Sequence, residues 1–265
     1  MTSIVSNPTE NIVECCDLTV VRDSKEILCE ATCCVPRNSL TFLVGENGSG
    51  KTTLVKTILG LLPKHSGDIA IYSGKGKDSN MVTGYVPQGI TFPKQLQMTV
   101  TEYLRYSSQV KMEDIEGVLN RVDFPQTHSE HTINQLSGGQ QQKLLLAAEL
   151  ARSPEVLFLD EPLSNVDDSS EKHILDVILE IKNSGVTIVI ITHDWQMVSK
   201  YADHVICLNK NFACDQQASC VCKNSLSTVN IKQIQKLTPD PETVSYTHLR
   251  AHETRHDLVC RLLLE

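Results

Sequence analysis

A glycine-rich loop, Gly45-Glu46-Asn47-Gly48-Ser49-Gly50-Lys51-Thr52, is the most informative segment of the chain. It fits the pattern G-x-x-x-x-G-K-[ST], in which backbone N–H groups surround a phosphate. The apolar run 40–44 before it predicts a buried strand, and helical spacing over 53–62 after it predicts a helix. This is the structural context that the pattern requires. We therefore predict a nucleotide site in which Lys51 reaches the β and γ phosphates and Thr52 ligates Mg²⁺.

The composition is that of an acidic globular protein. The chain has 265 residues, 40% of them hydrophobic and 21% charged, and its formal net charge is -8. This charge disfavours attachment to nucleic acid or anionic lipid by bulk electrostatics, although it permits a local phosphate site. No apolar run approaches the roughly 18 residues that a membrane-spanning helix needs. Residues 1–10 are polar and lack the pattern of a signal peptide, so we expect a cytosolic chain.

The chain contains 10 cysteines, a number that would suggest disulfides in a small secreted protein. Two pairs, Cys15-Cys16 and Cys33-Cys34, are adjacent in sequence, which is a poor arrangement for joining the members of each pair to one another. We interpret them as reduced, small apolar residues. Cys220 and Cys222 are separated by one residue rather than two, so they form only a weak metal-site signal.

Strand and helix patterns alternate along most of the chain. Short β-branched stretches predict hairpin-like strands over 12–35, and Pro63 is expected to end the helix after the loop. Further helical patterns cover 99–122, 139–152 and 173–181, and further buried strands cover 156–159 and 187–191. Such alternation predicts an α/β fold in which a parallel sheet is covered by helices.

A second chemical motif is the apolar strand Val156-Leu157-Phe158-Leu159, which ends in Asp160-Glu161. The carboxyl ends of parallel strands are where open α/β sheets bind ligands. Asp160 suits Mg²⁺, directly or through its bound water, and Glu161 is placed to act as general base on a water molecule. Taken alone, such a strand end is often a surface carboxylate pair. Together with the phosphate loop it indicates nucleotide hydrolysis.

Four further motifs identify a family. Leu136-Ser137-Gly138-Gly139-Gln140 resembles the signature motif of ATP-binding cassette (ABC) ATPases. Tyr85-Val86-Pro87-Gln88 resembles their Q-loop, Ser164-Asn165-Val166-Asp167 their D-loop, and Thr192-His193-Asp194 their switch histidine. The resemblance extends over about 12–222. It implies a P-loop NTPase fold with a RecA-like parallel sheet core, an N-terminal antiparallel β subdomain, and an inserted α-helical subdomain at about 88–152.

The resemblance also implies roles for individual residues. A head-to-tail homodimer is expected, in which the signature residues of one subunit close over the γ-phosphate bound by the other. Gln88 would contact Mg²⁺ and the attacking water, His193 would hold the γ-phosphate, and Asp167 would communicate across the dimer. The implied ATP-binding residues are Gly45, Glu46, Asn47, Gly48, Ser49, Gly50, Lys51, Thr52 and Thr53; the implied signature residues are Ser137, Gly138, Gly139 and Gln140; the implied Mg²⁺ residues are Thr52, Gln88 and Asp160.

A single cassette implies separate membrane permease subunits, which would hold it at the cytoplasmic face of the membrane. Phe92-Pro93, Leu96 and 99–104, and also 203–209 with Ala213-Cys214, resemble segments of zinc and manganese importers. An extracytoplasmic metal-binding protein is then implied, and no nucleic acid. Two alternatives stay open: an ABC ATPase for another cargo, imported or exported, and a non-transport ABC protein.

One departure from the family pattern matters. The first strand region, 18–23, has no aromatic residue to stack on adenine, so selectivity for ATP over GTP is open. Arg22 is either a residue that covers the base with its guanidinium plane or an ordinary surface arginine.

The predicted cassette covers 11–230. It is followed by a weakly patterned linker, 231–243, and a tail, 244–265. The tail places His248, His252 and His256 four residues apart, but it resembles translated sequencing-adapter read-through. We predict that it is not part of the natural protein.

Overall fold

The computed structural model describes residues 10–73, 82–89, 92–93, 95–164, 166–208 and 226–228. These residues form two compact units: one contains the described residues up to Tyr72 and those from Ile191 onward, and the other runs from Ser73 to Ile190. The predictions for the linker, the tail, the Cys220/Cys222 pair and Ala213-Cys214 lie outside the described residues.

The regular elements follow one another in a mixed α/β order. In chain order they are β1 (Asn11–Arg22), β2 (Lys25–Pro36), β3 (Leu40–Val44), α1 (Lys51–Ile58), β4 (Ser66–Ile71), β5 (Thr83–Val86), α2 (Val100–Ser108), α3 (Ile115–Asn120), α4 (Gly138–Ala151), β6 (Val156–Asp160), α5 (Asp168–Asn183), β7 (Thr187–Ile191), α6 (Trp195–Tyr201), β8 (His204–Leu208) and β9 (Leu226–Thr228).

The first unit contains the predicted antiparallel β subdomain. Strands β2, β1 and β4 lie side by side in that order, and both pairings are antiparallel. The same unit contains β3, which pairs in parallel with β8, so that Leu43 is opposite Ile206. All five residues of β3 are buried, as a strand covered on both faces requires. Strand β9 continues this group by pairing antiparallel with β8.

The second unit contains parallel strands and most of the helices. Strand β5 pairs in parallel with β6, and β7 is the next neighbour of β6. Every residue of β6 and of β7 is buried. Helix α4 buries a group of aliphatic side chains, among them Leu144, Leu146 and Leu150. A chain that contains parallel strands, helices and an antiparallel sheet confirms the predicted α/β class.

Three predicted helices differ in extent from the observed ones. Helix α1 ends at Ile58, before the predicted stop at Pro63, because Gly60 takes a left-handed φ of 72° and the N–H of Leu61 bonds the carbonyl of Lys56. The helical pattern over 99–122 forms two helices, since Gln109 ends α2 in a left-handed conformation. The helix predicted over 173–181 extends in both directions to form α5. Within the described residues, no helix is both long enough and apolar enough to span a membrane.

Candidate functional site

The phosphate loop connects β3 to α1 and depends on two glycine positions. Gly50 caps the start of α1 with φ 104°, a left-handed conformation that residues with a Cβ rarely adopt. A Cβ on Gly45 would lie 2.1 Å from the carbonyl oxygen of Leu208, so the loop backbone runs directly against the end of β8. The loop therefore has a fixed path from the buried strand to the helix N-terminus, where the helix dipole favours an anion.

Two side chains of this loop provide buried hydrogen-bond donors that could bind an anion. Lys51 is only 7% exposed, and its Nζ donates hydrogen bonds to the carbonyl oxygens of Gly45, at 2.7 Å, and of Glu46, at 2.9 Å. The hydroxyl of Ser49 is buried and has no hydrogen-bond partner within the described residues. A buried ammonium and a buried, unsatisfied hydroxyl beside a helix N-terminus form a donor set suited to phosphate.

His193 lies in a short connection between β7 and α6. The N–H of Thr192 donates to the carbonyl of Leu43, on the strand that leads into the phosphate loop, at 3.4 Å. On the other side of the histidine, the Asp194 carboxylate caps α6 by accepting the N–H groups of Gln196 and Met197. The connection is thus anchored on both sides, and His193 itself is exposed.

In the second unit, the ends of β5 and β6 carry the predicted glutamine and carboxylates. Val86 is paired with Leu159, so Gln88 and Asp160 follow these strands at the same edge. Asp160 is 2% exposed, and the hydroxyl of Tyr85 donates to its Oδ2 at 3.5 Å. Burial, and then the negative charge of Asp160, raises the pKa of Tyr85 to about 12. Tyr85 therefore stays protonated and remains a donor to this carboxylate.

Glu161 has a backbone conformation that is uncommon for its residue type. Its φ is 48°, in the left-handed region. Ser164 holds the turn, because both its N–H, at 3.1 Å, and its hydroxyl, at 2.9 Å, donate to the carbonyl of Glu161. Such conformations cost free energy, and they concentrate at functional positions where the surrounding structure enforces them.

The signature residues form the start of α4. Ser137 is the N-cap, and its side chain and that of Gln140 bond each other's backbone N–H in a capping box. A Cβ on Gly139 would lie 2.8 Å from the Cβ of Ser170, so α4 and α5 approach closely at this point. At the start of α5, Asp167 caps the helix by accepting the N–H of Ser170 at 3.0 Å. The signature motif and Asp167 are therefore structural neighbours; Asn165 of the D-loop lies outside the described residues.

Comparison with known proteins decides which family these motifs belong to. Residues 28–164, which include the phosphate loop, the Glu161 turn and the signature helix, match the family model described as ABC transporter. The chain belongs to the ABC transporter family. As an ABC cassette it is an ATPase, which confirms the activity that the sequence predicts.

Individual relatives and solved structures agree with this family assignment. The chain is 36% identical over 209 residues to the manganese transport system ATP-binding protein MntB of Bacillus subtilis (strain 168), which covers 74% of this chain and 83% of that protein. It is 33% identical over 207 residues to the zinc import ATP-binding protein ZnuC of Marinobacter nauticus, covering 78% and 77% of the two chains. The dimeric structure of MJ0796, a bacterial ABC transporter cassette, matches with a TM-score of 0.62 at 22% identity, over 74% of this chain and 94% of that one. The P-loop NTPase fold is confirmed.

Three residues of this ABC cassette have contacts that sequence reasoning missed. Tyr85 bonds Asp160, Ser170 packs on Gly139, and His128 lies 2.9 Å from the side-chain nitrogen of Gln140. Tyr85 belongs to a motif that the sequence did single out, but nothing in the chain pattern distinguishes the other two. The interpretation of Arg22 as a residue that covers the base stays a prediction.

Proposed function

We propose that this ABC ATPase powers the import of zinc or manganese ions through a separate membrane permease, with cargo delivered by an extracytoplasmic metal-binding protein. The observation that carries the cargo proposal is the similarity, at 36% and 33% identity, to ATP-binding proteins whose names specify manganese transport and zinc import. The phosphate loop and the carboxylates are the parts of this chain that would supply the energy.

The loop residues would bind the triphosphate. Lys51 would exchange the carbonyls of Gly45 and Glu46 for phosphate oxygens, and the buried Ser49 hydroxyl would gain the partner it lacks within the described residues. Thr52, Gln88 and Asp160 have the oxygen donors that suit Mg²⁺, and Mg²⁺ when bound would neutralise phosphate charge. The base of the nucleotide needs no specific contact for this chemistry, so the proposal does not depend on Arg22.

Hydrolysis requires a base and a group that holds the terminal phosphate. Glu161 is proposed as the general base that takes a proton from the attacking water, and His193 as the group that holds the γ-phosphate. Ser164 fixes the backbone of Glu161, which limits the orientations open to its carboxylate. Gln88 would orient the same water from the adjacent strand end.

Turnover is proposed to occur in a head-to-tail dimer. Ser137, Gly138, Gly139 and Gln140 of one subunit would close over the γ-phosphate held by the partner, and Asp167 would lie at the same interface. The N-terminus of α4 supports this role, since the first N–H groups of a helix and the helix dipole favour an anion. A similar cassette, MJ0796, is described as dimeric.

The helical part of the second unit is the proposed permease contact. Phe92 packs edge-on against Tyr103, with ring centroids 5.3 Å apart, and so joins the segment after Gln88 to α2. Tyr106 of the same helix is 85% exposed and Met112 beyond it is 63% exposed. Exposed large apolar side chains of this kind suit a protein interface.

A substitution of the proposed base tests the catalytic role. The Glu161→Gln protein should bind ATP and dimerise, yet hydrolyse ATP at least about 100-fold more slowly, since a general base contributes typically 10² to 10⁴. Phosphate release and size-exclusion chromatography with ATP measure the two properties. Rapid hydrolysis by this variant would remove Glu161 from the role of base.

Metal content tests the cargo. Host cells that carry Lys51→Ala in place of the wild type should lose zinc or manganese selectively, as measured by mass spectrometry, and adding that metal should restore growth. Lys56→Ala, five residues further along the same helix, is the matched control. If the metal content of the Lys51→Ala cells is unchanged while the purified wild-type protein is an active ATPase, the cargo is not zinc or manganese. Transport of another cargo would then replace metal import as the proposed function.

A further inference from the structure

The side chain of Gln140 has a defined orientation at the start of α4. Its Oε1 accepts the N–H of Ser137 at 3.0 Å, while Ser137 Oγ accepts the N–H of Gln140 at 3.3 Å. The capping box therefore assigns the amide oxygen to the helix cap. The amide nitrogen of the same group is directed elsewhere, and as a donor it needs an acceptor.

That acceptor is His128. Gln140 Nε2 lies 2.9 Å from His128 Nδ1. Since the amide nitrogen only donates, the network assigns His128 the neutral tautomer with its proton on Nε2 and its lone pair on Nδ1. The ring is also held by stacking on His131, with centroids 4.4 Å apart and planes at 23°. The Gln140 side chain is thus fixed at one end by the cap of α4 and at the other by an oriented imidazole.

We propose that His128 is a positioning residue for ATP hydrolysis in the dimer. By holding Gln140, it keeps the capping box formed and orients the Ser137 hydroxyl and the first N–H groups of α4 toward the nucleotide of the partner subunit. This inference rests on the proposed function, in which Ser137 contacts that nucleotide. Without His128, the Gln140 amide can rotate away from the cap, and the signature residues lose their fixed arrangement.

The consequence falls on dimer closure and not on nucleotide binding by one subunit. The phosphate loop does not use His128, so the isolated cassette should bind ATP with unchanged affinity. Closure uses the signature residues of both subunits, so the loss of one hydrogen bond per site counts twice. A hydrogen bond contributes enough for a several-fold effect at each site, and we expect dimerisation to weaken about tenfold or more.

Two isosteric substitutions separate positioning from general destabilisation. Asn at position 128 places an amide oxygen near the place of Nδ1, where it can accept from Gln140, whereas Gln places its amide near the place of Nε2. Both keep a polar side chain of similar volume. Gln126→Ala is the control for the local turn, because Gln126 belongs to the same 3-10 turn and bonds Asn120 and Glu116, away from Gln140.

The experiment measures ATP-driven dimerisation by sedimentation in the full-length Glu161→Gln protein, which is expected to hold ATP without turning it over. We expect His128→Ala and His128→Gln to weaken the dimer about tenfold or more, and His128→Asn and Gln126→Ala to stay close to the parent. Monomer binding of a fluorescent ATP analogue should be equal in all five proteins. In the active protein, the same ranking should appear as an increase in the ATP concentration needed for half-maximal rate.

The outcomes distinguish the two levels of inference. His128 has no positioning role if the His128→Ala protein dimerises as tightly as the parent. The same conclusion follows if His128→Asn dimerises no more tightly than His128→Gln. If the parent itself fails to dimerise with ATP, the proposed head-to-tail dimer is wrong, and the role of His128 falls with it.

Discussion

The ammonium group of Lys51 donates to the carbonyl oxygen of Gly45, the first residue of the same loop, at 2.7 Å. A second bond to Glu46 closes the loop around its own lysine. The ammonium group is therefore held by carbonyl groups of its own loop before any phosphate is bound, and phosphate oxygens would take the place of these acceptors. Lys51 has two separable effects, one on the shape of the loop and one on the ligand.

Substitution of Lys51 by Met separates these effects. Met retains most of the buried side-chain volume but removes the charge and the hydrogen bonds to Gly45 and Glu46, so we expect the unliganded protein to lose about 1 kcal/mol of unfolding free energy. The rise in melting temperature caused by ATP should disappear, because that rise depends on binding to the folded state. Thermal unfolding with and without ATP measures both. A normal ATP-dependent shift in this variant would show that Lys51 is not a phosphate ligand.

Substitution of Gly139 by Ala tests the contact between α4 and α5. The new Cβ would lie 2.8 Å from the Cβ of Ser170, and overpacking of this kind costs about 1–3 kcal/mol. Gly117→Ala is the matched control, since it lies within α3 and its Cβ would meet no atom within 4 Å. That control should be neutral or stabilising, because Ala is the better helix former.

A second substitution identifies the cause of the Gly139 effect. Ser170→Gly removes the atoms that the new Cβ would contact, so the double variant should recover part of the stability that Gly139→Ala loses. Urea unfolding of the two single variants and the double variant measures this coupling. Strictly additive effects would mean that the two residues do not meet in solution.

The pH dependence of the unfolding free energy should reveal the raised pKa of the Glu149 carboxyl. Burial raises the pKa of this carboxyl above its ordinary value of 4.5, and the hydrogen bond from the N–H of Tyr85 and the charge of Arg152 oppose that rise only in part. Above pH 4.5 the folded state then binds more protons than the unfolded state does. Stability contributed by Glu149 therefore falls as the pH rises from 4.5 through the folded pKa.

Glu149→Gln should remove this dependence. The variant retains an acceptor for Tyr85 but has no charge to desolvate, so its unfolding free energy should decline less than that of the wild type between acid and neutral pH. Glu116→Gln, on the exposed face of α3, controls for the change in net charge. Parallel stability profiles for wild type and Glu149→Gln would contradict the assigned cause of the pKa shift.

The register of β1 and β2 brings Cys15 opposite Cys33, and a hydrogen bond between the two thiols, followed by burial, raises the pKa of Cys15. Diamide should therefore join them: each thiol gives up one electron and one proton, a disulfide forms, and the diazene is reduced to a hydrazine. Peptide mass spectrometry should find this cross-link, formed slowly at neutral pH because Cys15 is rarely a thiolate. Cys33→Ala should abolish it, and Cys34→Ala should not. Cross-links chiefly between adjacent cysteines would indicate a different register.

The sequence predicts the local parts of this protein well. The strand 40–44, the loop after it and the strand 187–191 are found where the pattern indicates, because residues next to one another in the chain determine them. Helix ends are less predictable: Gly60 ends α1 before Pro63 can, and nothing in the helical pattern marks Gln109 as left-handed. The proposed site depends on pairings that are distant in the chain, such as Gly139 with Ser170 and Gln140 with His128. No periodicity encodes these pairings.

The close approach of Gly139 to Ser170 has a mechanical consequence. Ser170 also donates to Asp167, so the start of the signature helix and the cap of the next helix share one rigid joint. In the proposed dimer, the partner's nucleotide would displace the signature residues, and Asp167 would move together with them. Nucleotide binding at one site of the dimer would then be coupled directly to the arrangement of the other site, and the two sites would become competent for hydrolysis together.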